Sequence, residues 1–145
     1  MIDIDVLRAD LVGRWLPEGS QTVDGYQAYL TADVLESPVL PSGVLHPLSM
    51  FIAGMCGVGY SVQDLFDLAR CPAQDGPMIG ETDVRHYRSL LVGEQVAVRT
   101  QVVDVARKSG GSGVFDLVRI EHTMFDSSGE AVGAVLNTHV FPRKG

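Results

Sequence analysis

The sequence predicts an α+β domain, and three observations carry that expectation: a nearly uninterrupted apolar helix in mid-chain, four strand-like runs after it, and short turns joining those runs. At 145 residues and 46% hydrophobic content the chain is long enough for one core, so residues 1–145 read as a single domain. Ile4, Leu7 and Leu11 recur at helical intervals in the first segment, DIDVLRADLV, before two glycines and a proline in GRWLPEGS interrupt it. A short strand near 20–24 and a helix near 26–35 follow. SPVLPSGVLHP, residues 37–47, holds three prolines and a glycine and forms a shaped loop.

LSMFIAGMCGVGY, residues 48–60, is apolar around most of a helix, so it wants burial on every side. Gly54, Gly57 and Gly59 lower its helix propensity but let another backbone approach closely. SVQDLFDLARC is a short amphipathic helix beginning near Ser61, and CPAQDGPMIG breaks the chain again. ETDVRHYRSL, EQVAVRTQVVDVARK, GVFDLVRIEHTMFD and EAVGAVLNTHVFPR then read as strands rich in β-branched and aromatic residues. Turns at 92–94, 108–113 and 126–130 make consecutive strands antiparallel neighbours. Val96, Val98, Thr100 and Val102 share one face of one strand, and Val114, Val118, Ile120 and Met124 share a face of the next. A single sheet covers both sides of the apolar helix only by curling around it or by pairing with a second copy.

With 11 basic residues against 18 acidic ones, the net charge of -7 opposes attraction to nucleic acid or anionic lipid, so neither partner is expected. The charge is uneven: residues 1–36 carry seven acids and two arginines, residues 85–145 eight basic groups and six acids. An anionic ligand therefore approaches the C-terminal portion more readily. Cys56 and Cys71 lack the spacing of a metal site or a disulfide framework, and no metal or cofactor is called for. Without a leader-like N-terminus or an uninterrupted apolar span, a cytoplasmic location is expected. G-x-x-x-x-G-K-[ST] and G-x-S-x-G are both missing, which removes phosphate-loop nucleotidases and elbow hydrolases.

The apolar helix after GVLHPL, followed by HYRSLLVGEQVAVRTQVVDVARKSGGSGVFDLVRIEHTMFDSSGEAVGAVLNTHVFPRK, resembles the hotdog fold of MaoC-like and R-specific enoyl hydratases or dehydratases. Within that superfamily the chain is most similar to N-terminal-type dehydratase domains, over about residues 10–143. The resemblance implies a curved antiparallel sheet around a central helix, and two hotdogs paired as a homodimer or with a related subunit. It also implies substrates that are acyl groups on coenzyme A or an acyl carrier protein. Hydratases of this type carry Asp-x-Asn-Pro-x-His. Here Asp33 is followed by Val34-Leu35-Glu36-Ser37-Pro38, and the next histidine downstream is His46.

His46, just ahead of the helix, is the foremost catalytic candidate, because removing water from a 3-hydroxyacyl thioester needs a base near Cα and an acid near the hydroxyl. Asp33 is a candidate to orient it. Tyr26 and Tyr29 offer hydroxyls, while Ser42, Gly43 and the amides opening the helix at Leu48 offer donors to a thioester carbonyl. His86 is a candidate pocket residue, and Arg107 with Lys108 are candidates to receive the phosphate of a carrier. His122 and His139 read as single histidines on their strands, compatible with a polar surface or a buried hydrogen bond. Three alternatives compete with a hydratase or dehydratase. One is a noncatalytic hotdog subunit or acyl-binding module; another is a hotdog thioesterase with its base at Asp64 or Glu81, since residues 48–60 hold no carboxylate; the third is an assembly protein.

Overall fold

The computed structural model describes residues 1–38 and 40–144. Helix α1 spans Ile4–Leu11, strand β1 Gly19–Thr22, α2 Gly25–Val34, α3 Leu48–Cys56 and α4 Val62–Leu68. Strands β2 (Met78–His86), β3 (Gln95–Gly110), β4 (Gly113–Phe125) and β5 (Ala131–Arg143) follow. All pairings are antiparallel and give one sheet in the order β1-β3-β4-β5-β2.

Two sequence expectations are corrected here. Strand β2 does not lie beside β3; it pairs with β5 at the opposite edge, Thr82 against Asn137 and His86 against Gly133. Residues 87–94 are long enough to cross the end of the sheet, anchored by Tyr87 N–H on Val132 O and by Arg88 binding Glu94 and Asp126. The apolar helix is also shorter than expected and not buried all round. It ends at Gly57, whose N–H bonds Ala53 O, and Leu48 and Cys56 stay exposed because the sheet lies along only one side.

Alternation places the helices on a single face. Asp116, Val118, Ile120, His122 and Met124 of β4 are all buried, and register sets them beside Phe141, His139, Asn137, Val135 and Gly133 of β5. Leu7 and Leu11 of α1 and Leu65 of α4 pack with Val105, Val118 and Phe141 over one half of that face. Met50 and Ala53 of α3 pack with Val96, Val98, Met124 and Val135 over the other. Side chains of α3 meet β5 in sequence order: Met50 lies over Gly133, the Gly54 backbone over Val135, and Met55 Sδ accepts from Asn137. The helix therefore runs alongside β5 in the same direction.

Gly59, just after α3, admits the chain before β1. A Cβ on Gly59 would overlap Glu18 O and sit 2.5 Å from Pro17 O, both backbone atoms that cannot rotate aside. Gly59→Ala is expected to cost about 1–3 kcal/mol by overpacking, read as a lower urea midpoint with unchanged slope.

Candidate functional site

Register decides what surrounds the start of α3. Val44 bridges Leu91, Leu45 N–H bonds Leu90 O at 2.9 Å, and Val92 N–H bonds Gly43 O at 2.8 Å. Gly43 turns the chain at φ +80°, a left-handed conformation that favours glycine. His46 is thereby held between two openings. One, of about 470 Å³, is lined by Tyr29, Asp33, Ser42, Gly43 and His46 between α2 and the proline-rich loop. The other, of about 180 Å³, is lined by His46, Met50, His86, Arg88 and Ser89.

The geometry sets which nitrogen of each ring is the donor. His46 Nδ1 accepts the Leu48 N–H at 3.0 Å, so in the neutral ring the proton sits on Nε2. His86 lies on the helix-facing side of β2 and donates from Nε2 to Pro47 O at 2.9 Å. The two histidines thus brace one helix terminus. Leu48 N–H is taken by His46, Ser49 N–H by His46 O at 2.8 Å, and Met50 N–H by Pro47 O at 3.2 Å. The expectation that the first helical amides stand ready for a carbonyl is therefore not met: the imidazole acts as the helix cap that Pro47 has no side chain to supply.

The remaining candidates divide. Asp33, Ser42 and Gly43 share the larger opening with His46, but Asp33 is exposed and forms no side-chain hydrogen bond with it. Tyr26 is 71% exposed on α2 and lines neither opening. Arg107 and Lys108 stand at the other half of the sheet. The Arg107 guanidinium grips both oxygens of buried Asp116, at 2.7 and 2.9 Å, and donates to Ile2 O, which leaves Lys108 as the exposed member of the pair. Asp64 completes the capping box of α4 with Ser61, whose backbone N–H and hydroxyl hold the carboxyl below its usual range. Glu81 is exposed on β2.

Beneath α3 lies a polar chain that single-residue reading of the sequence did not join. Thr82 Oγ1 donates to Asn137 Oδ1 at 2.8 Å, so the Asn137 amide points its N–H toward His122 Nε2 at 3.4 Å. His122 Nδ1–H in turn reaches Thr100 Oγ1 at 3.0 Å, and Tyr60 stacks on the ring with centroids 6.3 Å apart. Burial, with His139 nearby, pushes His122 down to about 4, and burial does the same to His139. Burial also pushes the Tyr60 hydroxyl up to about 12. Among the described residues, no group of three His, Cys, Asp or Glu side chains is placed to hold a metal ion. Among the described residues, no helix is long and apolar enough to cross a membrane.

A helix laid along one face of a five-stranded antiparallel sheet is the architecture of a hotdog protein. The chain belongs to the FAS1-like, dehydratase domain region family, which matches residues 49–135. No curated protein matches the sequence. Solved structures carry the same fold at low identity. The C-terminally truncated HadBC (3R-hydroxyacyl-ACP dehydratase) complex of Mycobacterium tuberculosis is 16% identical with a TM-score of 0.68, covering 90% of this chain and 97% of that one. The ChsH1-ChsH2 complex of the same organism is 15% identical with a TM-score of 0.73, covering 98% and 90%. The R-hydratase PhaJ1 of Pseudomonas aeruginosa is 14% identical with a TM-score of 0.59, covering 92% and 83%.

Proposed function

We propose that this chain is a subunit of a hotdog hydratase or dehydratase acting on 3-hydroxyacyl or enoyl thioesters of coenzyme A or an acyl carrier protein. On this reading His46 is the acid and a second hotdog subunit supplies the base. The observation that carries it is the orientation of His46: Nδ1 accepts the Leu48 amide N–H, so in the neutral ring Nε2 is the donor nitrogen. Dehydration removes a proton from Cα and expels the Cβ hydroxyl as water, so one group must accept a proton and another must give one. An imidazole held in this tautomer gives Nε2–H to the departing hydroxyl, and the proton that the base took from Cα restores Nε2–H once water has left. The ring itself accepts the Cα proton from the substrate only by surrendering the helix cap.

A partner surface is available for the second group. Strand β2 is a sheet edge exposed along nearly its whole length, and α2 with its C-terminal cap leaves Tyr26, Tyr29, Leu30, Val34 and Leu35 in contact with solvent. The solved HadBC and ChsH1-ChsH2 proteins are complexes, which supports a second subunit as the partner here. A second reading, a homomeric enzyme using Asp33 as base, draws on the opening that Asp33 shares with His46.

The test is turnover of enoyl and 3-hydroxyacyl thioesters by the chain alone and by the chain co-purified with a related hotdog subunit. Activity is expected only in the complex, and His46→Ala is expected to lower its kcat by about 10²-fold. Turnover by the chain alone that disappears in Asp33→Asn selects the homomeric enzyme. Release of free thiol selects the thioesterase, and no turnover in any combination overturns the proposal.

A further inference from the structure

Beyond the C-terminal end of α3 lies a cavity of about 270 Å³, removed from His46 by the length of the helix. At nine residues that length is roughly 13 Å. Met55 and Val58 form one wall, Leu65 and Phe66 of α4 another, and Met78 and Ile79 stand at the exposed edge strand. A volume near the lower end of the roughly 300–1,000 Å³ typical of ligand sites suits a small molecule or the tip of a chain. The lining is apolar except at His139 and the Tyr60 hydroxyl.

His139 makes the cavity more than a packing fault. It is 8% exposed, and its Nε2 is buried with no hydrogen-bond partner, whereas neighbouring His122 has both nitrogens occupied. Stacking on Phe141, with centroids 6.1 Å apart, fixes the plane of the ring. A buried ring nitrogen without a partner is a costly arrangement that a ligand atom relieves.

We propose that this cavity binds a small apolar group bearing one oxygen, an alcohol or a ketone, whose oxygen hydrogen-bonds His139 Nε2. The ring stays neutral at physiological pH because burial holds its pKa at about 4, so hydrogen bonding rather than charge selects the ligand. The inference is independent of the thioester reading, since it concerns the opposite end of the helix and is tested by binding alone. The oxygenated group arrives either free or at the distal end of an acyl chain.

The experiment titrates the intact protein with 2-heptanol, 2-heptanone and heptane, following the ¹⁵N resonances of the His139 ring. The oxygenated probes are expected to shift Nε2 and heptane to leave it in place. In His139→Phe, the preference for 2-heptanol over heptane is expected to fall about tenfold relative to wild type, the size of one hydrogen bond. Competition by 7-hydroxyoctanoyl-coenzyme A assigns the group to an acyl tail, and lack of competition assigns it to a free molecule. An Nε2 resonance unmoved in wild type overturns the proposal whatever the variant does, and so does an unchanged preference in a folded His139→Phe.

Discussion

Asp116→Ala is expected to lower stability by about 3–5 kcal/mol, the cost of leaving a buried cation without its partner. Asp116 has no exposed surface, Arg143 only 5%, and Arg107 22%. Arg107 takes both carboxylate oxygens, and Arg143 Nε donates to Oδ2 at 2.6 Å. Burial by itself would raise the Asp116 pKa, but the hydrogen bonds and charges of the two guanidiniums outweigh it and hold the group below its usual range. Removing the carboxylate undoes more than one bond. Arg107 also ties Ile2 O ahead of α1, and Arg143 ties Ala69 O and Arg70 O at the end of α4, where Arg70 adopts φ +52°. The two helices that close one half of the core are thus fastened through a single side chain on β4. Urea unfolding at pH 7 provides the measurement: Asp116→Asn, which keeps one acceptor, is expected between wild type and Asp116→Ala. A loss under 1 kcal/mol in Asp116→Ala would contradict this account.

That cluster also shows which features were legible in the residues. Once the hairpin is centred on residues 111 and 112, counting back from Gly110 opposite Gly113 sets Arg107 opposite Asp116. Along its own strand Arg107 stands beside Lys108 and reads as a candidate for a carrier phosphate; across the turn it meets Asp116 instead. Alternation was readable because it is local. Val96, Val98, Thr100 and Val102 are all buried, as are Val118, Ile120 and Met124, whereas Val114 near the hairpin is half-buried. The place of β2 was not readable, since turn length favours adjacent pairing and only the covering of the sheet by α3 rewards the crossing of residues 87–94.

Around His46, proximity was legible and occupancy was not. Asp33, Ser42, Gly43 and His46 do line one opening, as closeness around a proline-rich loop suggests. The capture of the Leu48 amide by the imidazole depends on a side-chain rotation no pattern encodes. The joining of His122 to Asn137, and the placing of His139 two residues further along β5, likewise depend on inter-strand register, which single-strand periodicity leaves open.

Those two interior histidines set the second large expectation: the protein loses several kcal/mol of stability between pH 6.5 and pH 4. Each folded-state pKa is depressed from 6.5 to about 4, chiefly by burial. Between those values the unfolded chain holds protons that the native state refuses, so stability falls as pH falls through that window and the effect levels off below pH 4. A shift of this size corresponds to about 3 kcal/mol per histidine, an upper range because the two rings interact. Structure gives the refusal a cause at His122, where Nε2 faces the Asn137 amide N–H and Nδ1 already donates to Thr100, so an added proton would point at another donor. Asp116 acts in the same direction but in a lower window. Its pKa lies below 3.8, so the stability from its ion pairs persists down to that range and is lost only under stronger acid. Urea titrations at pH 7, 6, 5 and 4 separate the two. His122→Gln and His139→Gln are each expected to remove about half of the slope between pH 6.5 and 4, even though either one lowers stability at pH 7. A slope that survives both substitutions would place the acid sensitivity elsewhere and show that these imidazoles accept protons without leaving the native state.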